Sequence, residues 1–114
     1  MYKFKEQLKK ETRLNYDGKE RMYLTHFTDF DIKNEKVKMF SLVELNPGEE
    51  IGFHIHEGES ETYYIISGKG IYSDNGKEIE VSSGAVTLTP SGEGHALKNT
   101  GDKTLQFIAL IVLD

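Results

Sequence analysis

Gly48–Gly68, GEEIGFHIHEGESETYYIISG, is the stretch on which the reading of this chain turns. His54 and His56 stand one residue apart among small or apolar neighbours, Ile51, Gly52, Phe53 and Ile55. Side chains alternate faces along a β-strand, so histidines at i and i+2 project to the same side. Glu61 follows and heads a second strand-like run, Thr62–Ile66. If the two strands are neighbours, two imidazoles and one carboxylate converge, a donor set suited to a divalent first-row transition metal. Taken alone, the stretch leaves a second reading open: two partly buried, hydrogen-bonded histidines and a solvated glutamate.

Outward from this stretch, the pattern is short strands separated by turn residues. Upstream, Thr12–Tyr16 runs into Asp17-Gly18, a favoured hairpin pair. Arg21–Thr28 alternates Met22, Leu24 and His26 against Tyr23, Thr25 and Phe27. Lys36–Leu45 puts Val37, Met39, Ser41, Val43 and Leu45 on one face, and Asn46-Pro47-Gly48 ends it. Downstream, Asn75-Gly76 predicts a hairpin between Ile71–Ser73 and Glu78–Val81, with Ile79 and Val81 facing away from the two glutamates. Ser82-Ser83-Gly84 turns again into Ala85–Thr89, and Pro90–Gly94 leads to His95. The closing run, Leu105–Leu113, is apolar on both faces and belongs inside a sheet or at a subunit interface. Residues 1–11, with Phe4 and Leu8 four apart, form an arm that holds one or two helical turns only if it docks. Many short strands at regular spacing imply an all-β barrel or sandwich, in one domain over residues 1–114.

Composition narrows the function classes. The 114 residues carry a formal net charge of -5 with the signs interspersed, which argues against a nucleic-acid partner, since phosphate binding needs a basic face. No stretch approaches the roughly 20 apolar residues of a membrane span. The charged N-terminus, MYKFKEQLKKE, has no apolar middle of the kind a signal peptide needs. With no cysteine there is neither a disulfide framework nor a thiolate site, and a cytoplasmic location is the expectation.

The second decisive segment is Gly84–Asn99, GAVTLTPSGEGHALKN. Gly48, His54, His56, Glu61 and Gly68 resemble the first signature motif of the cupin superfamily at every defined position (residues 48–68). Gly84, Pro90, Gly92, His95 and Asn99 resemble the second (residues 84–99). The resemblance implies a double-stranded β-helix, or jelly-roll barrel. It also implies one divalent transition metal ion per chain (manganese, iron, nickel, cobalt, copper or zinc) held by His54, His56, Glu61 and His95. Three of the chain's 4 histidines are thereby used. His26 reads as an ordinary strand histidine, Asn99 as the residue that shapes the turn before the last strand, and Glu57, Glu59 and Glu93 as solvated loop residues.

Four protein ligands leave positions of an octahedral ion open to a small ligand. Two functions follow. One is a metal-dependent enzyme (a dioxygenase, decarboxylase, isomerase or lyase) acting on a small oxygen-rich molecule, the reading towards which the site leans. The other is a non-catalytic module that uses the ion to hold a sugar or carboxylate. Parity with Glu61 points Tyr63 and Ile65 into the barrel and Tyr64 outward. Tyr63 is the candidate for acid–base chemistry or support of the metal, beside the alternative of a core tyrosine with a satisfied hydroxyl. Cupins pair through sheet edges, so a homodimer is expected, with the closing strand and the N-terminal segment as its surface.

Overall fold

Period-two alternation runs through the chain, and the computed structural model, which describes residues 1–14 and 21–114, is built of strands accordingly. Among the described residues the strands are β1 (Lys10–Leu14), β2 (Arg21–His26), β3 (Val37–Leu45), β4 (Glu50–Ile55), β5 (Glu59–Ser67), β6 (Lys69–Asp74), β7 (Lys77–Ser82), β8 (Val86–Thr89), β9 (Gly94–Asn99) and β10 (Leu105–Leu113). They form two antiparallel sheets, β1-β2-β3-β10-β5-β8 and β4-β9-β6-β7. The sheets face each other as the expected jelly-roll barrel. Leu24, Val43, Leu45, Ile65 and Phe107 of the larger sheet meet Ile51, Tyr72, Val81 and Leu97 of the smaller in one buried core. Among the described residues no helix is long and apolar enough to cross a membrane.

Local chemistry sets the turns. Asn75 (φ 53°) and Gly76 (φ 96°) both take the left-handed conformation that the two-residue β6–β7 hairpin requires. Parity along β3 and β5 is as expected: Ser41, Val43 and Leu45 are buried, as are Glu61, Tyr63 and Ile65, while Tyr64 is exposed. On β7, Val81 is buried but Ile79 is exposed, because β7 is the edge of its sheet.

Several expectations are corrected. The runs carrying His54 and Glu61 are not neighbouring strands. β4 pairs with β9 in the smaller sheet and β5 lies between β10 and β8 in the larger, so the two face each other across the barrel. Alternation fixes which face a residue takes but not which strand lies beside it. The N-terminal helix shrinks to one 3₁₀ turn, Lys5–Gln7, and the arm continues into β1, which pairs with β2. The closing strand β10, by contrast, lies inside its sheet between β3 and β5, the first of the two places expected for it, and both its edges are occupied. The Asp17-Gly18 turn, with Asn15 and Tyr16, lies outside the described residues.

Candidate metal centre

Strand register assembles the centre from the two sheets. His54 on β4 is directly opposite His95 on β9, and cross-strand partners share a face. His56, just beyond β4, keeps the strand direction because its N–H donates to the Glu93 carbonyl (3.0 Å) while its own carbonyl accepts from Gly92 (2.7 Å). Its ring therefore returns to the side of His54. Glu61 comes across the barrel from β5.

Their tips meet. The three Nε2 atoms of His54, His56 and His95 lie 3.1 Å from one another in each pairing. Glu61 Oε1 is 2.9 Å from His56 Nε2 and 3.0 Å from His95 Nε2. One ligand atom from each of the four residues falls within 4.8 Å of every other. His56, Glu61 and His95 are buried, and His54 is partly open.

The far side of each ring is held. His54 Nδ1 donates to the Gly52 carbonyl at 2.8 Å, and His56 Nδ1 donates to Glu59 Oε2 at 2.7 Å. Both acceptors place the proton on Nδ1, so in the neutral rings Nε2 offers a lone pair to the centre. His95 Nδ1 is bonded to Thr89 Oγ1 (2.9 Å) and Tyr72 Oη (3.1 Å). Tyr63 stacks on the His95 ring, with centroids 4.9 Å apart and 26° between planes. Burial pushes His54 below the ordinary histidine range. The Gly52 bond works against this and the neighbouring His95 and His56 rings with it, so the net shift is downward and favours the neutral ring.

Converging lone pairs with a carboxylate form a poor arrangement without a cation, and the spacing tests whether one fits. Bonds of about 2.1 Å at right angles put neighbouring nitrogens about 3.0 Å apart, whereas a tetrahedral ion puts them about 3.4 Å apart. At 3.1 Å the three nitrogens are close enough together to share one ion. The residues present fit a divalent transition ion bound by nitrogen and oxygen donors. Beside them lies a cavity of about 60 Å³ whose wall, apart from His54, His56, Glu61, Tyr63 and Arg13, is aliphatic or aromatic.

Glu59 is the principal correction to the site. Expected in a solvated loop, it is a buried residue of β5, clamped between His56 Nδ1 and Lys38 Nζ at 2.7 Å each. It shares parity with Glu61, so starting the strand two residues earlier would have turned it inward. Tyr72 and Thr89, which hold His95, carried no sequence signal of their own; the register of β6 and β9 brings Tyr72 there. Glu93 accepts a hydrogen bond from Asn75, and Glu57 is exposed. Asn99 shapes its turn as expected, donating to the Leu45 and Lys103 carbonyls and accepting from Gly101. His26 stays outside the cluster, between Ser41 and Glu11.

A cupin domain family model matches residues 41–111. The chain is 41% identical over 96 residues to an oxalate-binding protein of Thermotoga maritima, covering 84% of this chain and 79% of that protein. It is also similar to a crystal structure from Thermotoga maritima described as a predicted oxalate decarboxylase, with a TM-score of 0.90, 36% identity and 100% of both chains covered. A putative sugar phosphate isomerase from Acidithiobacillus ferrooxidans is similar in fold alone, with a TM-score of 0.82 at 21% identity over 94% of this chain and 69% of that one.

Proposed function

We propose that this chain, which belongs to the cupin domain family, is a metal-dependent binder of a small chelating dicarboxylate of the oxalate class. The observation that carries the reading is the meeting of three imidazole Nε2 atoms and Glu61 Oε1 beside a small cavity. His54, His56, Glu61 and His95 would hold the ion, with Gly52, Glu59, Thr89 and Tyr72 fixing how the rings present themselves. A divalent transition ion held by these four residues would supply a Lewis-acid centre for carboxylate oxygens.

Size and lining support the ligand class. A cavity of about 60 Å³ beside the ligand atoms has room for a ligand of a few heavy atoms such as oxalate. Its largely apolar wall lowers the local dielectric, which strengthens the attraction between a bound anion and the charges that face it. The likeness to an oxalate-binding protein points the same way. The test is calorimetric titration of oxalate into metal-loaded and chelator-stripped protein. The reading expects saturable binding that needs the metal, and heat that is equal or absent in both samples would defeat it.

Catalytic turnover is the second reading, and Tyr63 is the observation that favours it. This buried tyrosine lines the cavity and stacks on His95, and it is the one hydroxyl-bearing residue among the described residues lining the cavity, with a group suited to moving a proton. Release of carbon dioxide from oxalate by the loaded protein, lost in Tyr63→Phe, would favour this reading over simple binding.

A further inference from the structure

We propose that Arg13, on the N-terminal strand and outside both motifs, forms an anion subsite that recognises the end of the ligand turned away from the metal ligands. The inference rests on the dicarboxylate reading above and deepens it.

Register gives the direction of the side chain. In the β1–β2 pair, Glu11 is opposite Leu24 and Arg13 is opposite Met22. Partners across a ladder share a face, and Met22 and Leu24 belong to the core, so Glu11 and Arg13 lie on the interior face of the larger sheet. Arg13 and Met22 accordingly line the same cavity as His54, His56 and Glu61. Among the described residues lining that cavity, Arg13 is the only arginine or lysine.

The guanidinium is also held in place. Its Nε and Nη2 donate to the two carboxylate oxygens of Glu11, both at 3.1 Å. Glu11 Oε1 is 2.7 Å from His26 Nε2, and His26 Nδ1 is 2.8 Å from Oγ of Ser41, a residue with no exposed surface. A hydrogen-bonded chain thus runs from the core to the cavity mouth and ends on Arg13. Bonds to Arg13 and then His26 hold the Glu11 carboxyl down at about 2, so the pair stays ionic under working conditions. Two of the five guanidinium N–H groups are used in this way, and among the described residues Nη1 makes no hydrogen bond.

The remaining donors suit one chemistry. A dicarboxylate that chelates an ion through one edge presents two more carboxylate oxygens on the other, and a planar guanidinium matches such a pair better than an ammonium does. A chelator with a single negative charge and a methyl group on that side offers Arg13 nothing. Arg13 therefore selects dianions over monoanionic chelators.

The experiment titrates oxalate and, separately, acetohydroxamate into manganese-loaded wild-type, Arg13→Met and Arg13→Lys proteins, with thermal melts to establish that each variant is folded. Arg13→Met is expected to weaken oxalate roughly 10- to 100-fold while acetohydroxamate changes less than about threefold, with Arg13→Lys in between. Oxalate affinity unchanged in Arg13→Met, or an equal loss for both probes, would overturn the subsite. Wild-type protein that binds acetohydroxamate but not oxalate would instead sink the dicarboxylate reading itself.

Discussion

Glu59 links a surface cation to a ring that faces the candidate metal centre. Lys38 Nζ and His56 Nδ1 each approach one of its oxygens at 2.7 Å. Burial alone would raise its pKa, but the bonds from Lys38 and His56 outweigh burial and bring it below the ordinary carboxylate range. Glu59 therefore remains a carboxylate, fixes the His56 tautomer and makes Nε2 a better donor. Glu59→Gln should weaken metal affinity roughly 10- to 100-fold with little change in secondary structure. Competition against a chelator of known affinity measures this, and an unchanged dissociation constant would show Glu59 to be a structural ion pair only. At this scale the sequence was readable where a residue stands at a defined position of the two motifs. His54, His56, Glu61 and His95 come together as the motifs implied. Glu59, Tyr72, Thr89 and Arg13 were not readable, because each reaches the site through strand limits or register that no local pattern states.

Glycines show the same division among the elements. At Gly84 the backbone has φ +92° and an added Cβ would meet nothing within 4 Å, so a side chain there costs conformational strain alone. Gly70, in the middle of the smaller sheet, is different: a Cβ would run into the Lys98 carbonyl of β9. Gly84→Ala should then cost about 1 kcal/mol, and Gly70→Ala about 3 kcal/mol or more, because the pairing of β6 with β9 must part. Urea unfolding of the two variants decides it, and equal costs would contradict the assignment. The turn glycine was legible from its place after Ser82-Ser83, but the close approach at Gly70 depends on which strand lies alongside. Glu11 ties β1 to the sheet through His26, and its carboxyl falls from the ordinary 4.5 to about 2. A depressed carboxylate pKa stabilises the fold above the unfolded value, and that contribution is lost as pH drops from about 4.5 towards about 2. Because a third of this side chain is exposed, the expected cost of Glu11→Gln at neutral pH is only about 1 kcal/mol. The gap between wild type and variant should narrow from pH 5 to pH 3, and a gap that widens on acidification would refute the pairing.

Across the whole molecule, the candidate ligands come from both sheets: His54, His56 and His95 from the β4–β9 side and Glu61 from β5 opposite. An ion there fastens one wall of the barrel to the other, and in its absence nitrogen lone pairs and a carboxylate are left facing each other. At a free metal concentration about 100 times its dissociation constant, binding adds about 2.7 kcal/mol of stability. For a chain of this size that raises the melting temperature by roughly 10 °C. Chelator-stripped protein should recover the difference when manganese is restored, and a melt indifferent to metal would mean that the sheets are not joined in this way. Strand count and turn spacing made an all-β barrel or sandwich legible and the motif resemblance narrowed it to a jelly roll, whereas the facing of β4 and β5 across the barrel arises only when the whole sheet rolls up. The most direct measurement is elemental analysis of untagged protein beside His54→Ala and His95→Ala. The account predicts close to one divalent transition ion per wild-type chain and most of it gone from folded variants. Equal metal content in all three proteins would contradict it.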